Sequence, residues 1–443
     1  MSPQSTWHPI LSGELALKAQ KIVQHIIDEL KAELEKSTLL PAGIVVANSP
    51  VDPYVALLFS YAWATDKSRS DIAAYAVELL DAISASCAAA PNSLRPNSGV
   101  IAADWVYSHY CREFFERDPE HGNLEDETSD DIEVALVVCK LLKDAPPRAY
   151  DLASGLVGLG IYGLESTNTK AGTEIVSVVL SLLADRSEPV DSLRSRWLTP
   201  RELLFGSNRE AYPDGVYDLG VAHGVPGIIA FAAESYARGI AREVALDIAG
   251  KAVEWILSVR VLDGGPGYDS WVEHGKNAYT GNQVAWCYGG LGLAATVLRA
   301  AQVFSRSDWH GQAVNIARAC ADVSLSSFEL RSHALCHGSA GIAHIFNRMY
   351  HATNDPIFKR AAVSYYEACV GAFDPAIGFG GYLDLATIFT GKNTQSESMT
   401  TAKVGSWNFL TGTSGIGAAL LAAIGDVEPL WDRLLLTTIM PKQ

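Results

Sequence analysis

Apolar side chains along this chain recur at steps of three and four, with charged side chains between them. Ile22, Val23, Ile26, Ile27 and Leu30 form one such face, and this spacing predicts a helix with one buried stripe and one wet one. Seven stretches share the pattern: 14–36, 70–89, 129–142, 172–183, 241–259, 312–326 and 358–373. A second kind of segment alternates with them. It opens on a glycine, two further residues and a second glycine, then runs on as an apolar stretch rich in Gly, Ala and Ser. Clear copies begin at Gly155, Gly224, Gly289, Gly338 and Gly412, and two weaker ones occupy 50–59 and 96–102. Successive first glycines are 69, 65, 49 and 74 residues apart, so the unit repeats with a loose period.

Each amphipathic helix is thus followed by one small-residue helix, seven times over. The first kind belongs between core and water, the second inside. Strand signals, which would alternate with period two, are weak. The pattern predicts an all-α protein, a double-layered α/α toroid of seven helix pairs, with residues 1–443 as a single domain. The glycines sit where the inner helices begin, where close approach of backbones is a sufficient reason for them. Long connections at 185–220, 262–286 and 374–407 are candidates for function, as long loops in compact domains usually are. The first holds Pro189, Pro200 and Pro213 and has room for a small inserted subdomain. The acidic run 116–133 reads as a solvated loop.

Composition narrows the classes. The chain is 48% hydrophobic, ample for a large core, and its net charge of −16 argues against a phosphate-backbone partner. Seven scattered cysteines, an odd number, do not read as a disulfide framework and fit a reducing cytosol. Met1 to Pro9 lacks the basic and apolar regions of a signal peptide, and no apolar run approaches the ~20 residues of a membrane span.

The candidate chemistry lies just ahead of the glycine pairs. Ala334-Leu335-Cys336-His337-Gly338-Ser339-Ala340-Gly341 sets a thiol beside an imidazole, and Ala285-Trp286-Cys287-Tyr288-Gly289-Gly290-Leu291-Gly292 has the same form with one thiol. If the repeats superpose, Cys287, Cys336 and His337 share one rim. Thiolate and imidazole suit zinc, and three protein ligands leave a fourth tetrahedral position open, as catalytic sites do. The spacing serves equally well for cysteines that are small buried apolar residues. Cys87, Cys111, Cys139, Cys320 and Cys369 lie in apolar helical contexts and read as core. In the fourth repeat, Asp218-Leu219-Gly220-Val221-Ala222-His223-Gly224, His223 holds the position before the first glycine, as His337 and Tyr288 do in theirs. It is either a proton donor near neutral pH or a satisfied structural histidine. Asp151, in Tyr150-Asp151-Leu152-Ala153-Ser154-Gly155, either orients an imidazole or caps a helix.

Together the sets Ala-His-Gly-x-x-Gly, Trp-Cys-Tyr-Gly-x-x-Gly, Cys-His-Gly-x-x-Gly and Thr-Gly-x-x-Gly resemble the lanthipeptide cyclases, over essentially the whole chain. The resemblance implies a toroid of seven helix pairs and one zinc ion held by Cys287, Cys336 and His337. It implies roles for His223, Asp151 and Tyr288 in catalysis. The activity implied is addition of a peptide cysteine thiol to dehydroalanine or dehydrobutyrine, which forms a thioether ring, by a stand-alone cyclase in the cytosol. The implied partners are a dehydrated precursor peptide and a membrane-associated complex with a dehydratase and an ABC exporter. Many members carry an arginine four residues before the first zinc cysteine; here Gln283 stands there. Three other readings are a zinc protein that binds glutathione-type thiols, a helical-repeat scaffold, and a toroid acting on sugars or isoprenoids. The last would need paired inner-rim carboxylates or an aspartate-rich motif, and the chain has neither.

Overall fold

The computed structural model describes residues 7–36, 52–89, 99–115, 129–204, 206, 208–262, 265–276, 283–323, 332–383 and 406–442. The seven amphipathic stretches are the helices α1 (Gly13–Lys36), α3 (Ser70–Ala89), α5 (Ser129–Asp144), α7 (Thr169–Asp185), α10 (Arg242–Ser258), α12 (Ser307–Ala321) and α14 (Pro356–Gly371). The seven small-residue helices are α2 (Val55–Thr65), α4 (Gly99–Tyr110), α6 (Leu156–Glu165), α9 (Val225–Ala237), α11 (Gly290–Phe304), α13 (Ser339–Thr353) and α15 (Thr413–Ile424); a short α8 spans Asn208–Ala211. The predicted alternation is therefore observed. Boundaries move most in two of them: α7 begins at Thr169 rather than at 172, and α12 runs from Ser307 to Ala321 rather than over 312–326, because Trp309 and Ala313 continue its buried face one turn earlier.

The two helix kinds differ in burial as their composition requires. Every residue of α6 is buried, and so is α15 from Thr413 to Ala423. Helix α7 buries one stripe, Ala171, Gly172, Ile175, Val176, Val179, Leu180 and Leu183, and leaves the rest of its surface outside. Cys111, Cys139, Cys320 and Cys369 are buried core residues, as expected.

Contacts group the chain into two compact units, Met1–Ser86 with Ser324–Pro429 and Pro441–Gln443, and Cys87–Val323 with Leu430–Met440. In the first unit α13 packs on α14 and α15, and α15 packs on α1 and α2. In the second, α4 packs on α6, α6 on α9 and α9 on α11, while α7, α10 and α12 cover α6, α9 and α11.

The connection 185–220 is more structured than its sequence suggested. It holds a two-residue hairpin of β1 (Glu188–Pro189) and β2 (Ser195–Arg196), a 3-10 turn at Arg201–Leu203, α8 and β3 (Val216–Asp218). Strand β3 pairs antiparallel with β4 (Trp271–Glu273), which lies in the second long connection, with Asp218 opposite Trp271. These strands are too short for a period-two signal, so the weak strand signal was a true reading of the sequence and still missed them. Much of the acidic run 116–133 lies outside the described residues, apart from the part that opens α5 at Ser129, as does 384–405 of the third long connection. No described helix is long and apolar enough to cross a membrane.

The first peptide N–H groups of a helix have no acceptor within it. Outer helices α7 and α14 meet this need with side chains: Asn168 accepts from Ala171 N at 3.0 Å and Asp355 from Ile357 N at 2.9 Å. Five inner helices, α6, α9, α11, α13 and α15, have glycine caps with no side chain to offer. In α6, α11, α13 and α15 these N–H groups are instead bonded by carbonyls seven residues upstream. Val157 N donates to Tyr150 O at 3.0 Å, Gly292 N to Ala285 O at 3.1 Å, Ala340 N to His333 O at 3.2 Å and Thr413 N to Ser406 O at 3.0 Å. The preceding loop thus folds back over these four helix starts, and the glycines leave it room. A Cβ on Gly341 would lie 1.8 Å from Leu335 O, and one on Gly292 2.3 Å from Trp286 O.

Gly341→Ala is expected to cost on the order of 3–5 kcal/mol or to prevent folding, since the obstruction is backbone. Gly311→Ala is the control. Gly311 lies exposed in α12 with open space where Cβ would go, and the change is expected to stabilise by about 0.5–1 kcal/mol. Urea unfolding of the two variants checks the contrast; equal effects would refute the account of the glycine pairs.

Candidate active site and metal ligands

Each loop that wraps an inner helix carries one or two of the side chains singled out in the sequence. The loops are also tied to their neighbours. Leu152 N donates to Ala222 O at 3.1 Å, Val221 N to Cys287 O at 3.0 Å, and Cys336 N to Leu410 O at 3.0 Å. These bonds hold Asp151, His223 and Cys287 in a fixed order within the second unit. In the first unit they hold Cys336 against the loop before α15.

In the second unit, Asp151 has two tasks. Its Oδ1 accepts from Ser154 N at 2.7 Å, the local turn expected of an aspartate before a helix. Its Oδ2 lies 3.0 Å from Nδ1 of His223. His223 is partly exposed, and its ring lies near-parallel to that of Tyr288 at 6.4 Å between centroids. Burial pulls the imidazole pKa down, but the bond to Asp151 and the negative charges of Cys287, Asp151 and Asp218 outweigh it and raise the value to about 9. The Tyr288 hydroxyl donates to Asp218 Oδ2 at 3.2 Å, and Trp271 of β4 meets the Tyr288 ring edge-on at 6.2 Å. Asp218 is buried; loss of solvent pushes its carboxyl up to about 7, partly opposed by the bond from Gly220 N.

Cys287 is buried. In the first unit Cys336 is buried, His337 is exposed, and Cys336 Sγ lies 3.7 Å from His337 Nε2. The turn therefore aims two neighbouring side chains at one point, which a helix does not. Within the first unit, Cys336 and His337 offer a sulfur and a ring nitrogen that could serve as metal donors. The Cys336–His337 spacing can be tested against zinc. With Zn–S and Zn–N bonds of ~2.3 and ~2.05 Å at a tetrahedral angle, sulfur and nitrogen sit about 3.6 Å apart. The observed spacing fits. His333, one residue outside the motif, instead bonds Ser339 Oγ through Nδ1 at 2.8 Å and serves the start of α13.

The family model of lanthionine synthetase C-like protein matches residues 55–436. The chain belongs to that family. Among curated relatives, the nisin biosynthesis protein NisC of Lactococcus lactis subsp. lactis is 24% identical over 212 residues, covering 46% of this chain and 50% of that protein. The matched part thus spans about half the length of that relative. The solved structure of nisin cyclase aligns with a TM-score of 0.68 at 18% identity, over 94% of this chain and 97% of that one. This likeness shows the fold: this lanthionine synthetase C-like protein is a helical toroid of the double-layered α/α type. At Gln283 the side chain is exposed and the backbone carbonyl accepts from Gly290 N at 3.2 Å.

Reasoning from sequence missed Asp218. It stands in the quoted motif of the fourth repeat, yet its partner Tyr288 is 70 residues away on another loop. The one local signal is Asp218-Leu219-Gly220, an aspartate two residues before a glycine whose N–H it accepts at 2.8 Å.

The His223–Asp151 pair carries a pH prediction. A histidine whose pKa is raised by folding stabilises the fold fully below its unfolded value of about 6.5 and loses that contribution as pH rises through about 9. In chelator-treated protein, Asp151→Asn is expected to lower the His223 pKa by about 1–2 units, followed by NMR of the labelled imidazole. An unchanged titration would show that the pair does not form.

Proposed function

We propose that this protein closes thioether rings in a dehydrated precursor peptide, by zinc-assisted addition of cysteine thiols to dehydroalanine or dehydrobutyrine. The observation that carries the reading is the Cys336–His337 turn, whose donor spacing of 3.7 Å matches one edge of a tetrahedral zinc site. Family membership supports it. Cys287, Cys336 and His337 are the proposed ligands of one zinc ion. Two thiolates and one imidazole are donors that suit zinc, and they leave its fourth position for substrate. When bound, zinc would supply the positive charge that lets a thiol lose its proton near neutral pH.

The remaining chemistry belongs to the chain's own residues. In the addition, a carbon–sulfur bond forms at the β-carbon of the dehydro residue. The electron pair of its double bond moves toward the α-carbon and the adjacent carbonyl, and the α-carbon then takes a proton. Atoms balance, since the thiol gives up one proton and the α-carbon gains one. His223 is the proposed proton donor. Its Nδ1 is held by Asp151, which leaves Nε2 to deliver the proton and fixes the orientation of the ring. Tyr288, beside His223, is proposed to bind the substrate backbone. A role that needs a fixed positive charge at Gln283 is not carried by this chain.

The substrate must come from a dehydration reaction on serine and threonine, so a dehydratase is the proposed upstream partner and an exporter the proposed downstream one. The cytosol is the proposed compartment.

Ring closure does not change peptide mass, so the assay is alkylation of remaining thiols after incubation with dehydrated peptide. Cys336→Ala is expected to lose zinc, measured by elemental analysis, and all ring closure, with helical content retained. His223→Asn is expected to keep zinc and slow closure by about 10²–10⁴-fold. A metal-free wild type that still closes rings at full rate would sink the zinc reading, and a fully active His223→Asn would remove His223 from the reaction.

A further inference from the structure

We propose that Asp218 is a positioning residue that fixes the direction of the Tyr288 hydroxyl proton, so that Tyr288 meets substrate as a hydrogen-bond acceptor for a peptide N–H. The inference rests on the cyclase reading for its consequence, and on geometry within one compact unit for its cause.

Asp218 is 5% exposed. Its two oxygens have separate partners: Oδ1 accepts from Gly220 N at 2.8 Å, and Oδ2 accepts from the Tyr288 hydroxyl at 3.2 Å. Among the described residues no lysine, arginine or histidine forms an ion pair with it. A buried carboxylate is costly, and here each of its oxygens is met by a hydrogen-bond donor while the charge of His223 acts on it from farther away. A purely structural turn would be served by an uncharged acceptor. The position of the carboxyl group is determined by its surroundings. Asp218 ends β3 opposite Trp271, and the next residue, Leu219, donates its N–H to Ser270 O at 2.9 Å. The group also touches the turn that carries His223, since a Cβ on Gly224 would lie 2.6 Å from its Oδ1. The Tyr288 ring lies over Gly220, where a Cβ would come within 2.8 Å of Cδ1 and Cε1. One carboxyl group therefore sets both the turn before His223 and the hydroxyl of Tyr288.

The consequence follows from proton counting. A tyrosine hydroxyl has one proton and two lone pairs. With the proton given to Asp218, the oxygen can accept but cannot donate. Tyr288 is then suited to hold the amide N–H of the peptide near the dehydro residue, and the proton for the α-carbon must come from elsewhere, which leaves it to His223.

The test uses the full-length, zinc-loaded protein. Asp218→Asn keeps the shape. Its Oδ1 is claimed by Gly220 N–H, so its amide N–H₂ faces Tyr288 and reverses the hydrogen bond. Asp218→Ser, which retains an acceptor for Gly220 but is too short for Tyr288, is the second variant. With dehydrated peptide, both variants and Tyr288→Phe are expected to raise KM about tenfold, the scale of one lost hydrogen bond, with kcat changed far less. The double variant Asp218→Asn with Tyr288→Phe is expected to match Tyr288→Phe alone. Multiplying effects, or a loss confined to kcat, would overturn the proposal. A second readout needs no activity. In protein labelled with 3-fluorotyrosine, the ¹⁹F resonance assigned through Tyr288→Phe is expected to shift in Asp218→Asn and Asp218→Ser at unchanged zinc content. An unshifted resonance overturns the hydrogen bond itself, whereas a shifted one in a wild type that closes no rings would place the failure in the cyclase reading.

Discussion

The peptide N–H groups that begin α6, α11, α13 and α15 must find acceptors inside the protein, and the loop just upstream supplies them. The register of seven residues, as in Val157 to Tyr150 and Ala340 to His333, folds each loop over the end of its own helix. Glycine is required because backbone passes over backbone: at Gly289 the conformation is left-handed, with φ +102°, and a Cβ would lie 2.0 Å from Gln283 O. Residues one or two places before the glycine then have little freedom. His223, Cys287, Tyr288, Cys336 and His337 all occupy such places. The fold and the placement of the reactive groups thus have one cause, the need to satisfy buried backbone donors.

A second consequence is electrostatic. Loops held by backbone bonds bring two acidic groups together around a single imidazole. Asp151 and Asp218 are 72 and 5 residues from His223 along the chain, and both act on the charge of its imidazole. Their effect differs with their surroundings. Asp218 loses solvent and rises to about 7, whereas Asp151 lies closer to water and forms the direct bond. The proton accordingly stays on His223 against the cost of burying a cation. Two carboxyl groups in unlike environments beside one imidazole divide the work: one orients the ring, and the other serves the neighbouring tyrosine.

Much of the fold was legible from the chain. Spacing by three and four marked the outer helices, and Ser70–Ala89 matches its helix residue for residue. The glycine pairs located the inner helices, because a helix start capped by backbone leaves a fixed mark in sequence. Strands β3 and β4 left none: three residues each, in two separate connections, they exist only because they pair with one another. Asp218 was hidden for the same reason. Its role is defined by a hydroxyl on another loop, and nothing within a window of sequence records that contact.

The sequence by itself determined the alternation of helix kinds, the positions of the reactive side chains relative to each glycine pair, and the pairing of a thiol with an imidazole at Cys336 and His337. These are local properties, set by periodicity, by the missing Cβ of glycine and by adjacency in the chain. Tertiary structure decided which alternative applied where local rules allowed two. Asp151 caps its own turn and also holds His223; His333 serves a helix start; Tyr288 gives its proton to Asp218. Each outcome depends on atoms brought together by contacts between loops, and a hydrogen-bond partner is a fact about distance in space, which order along the chain does not contain.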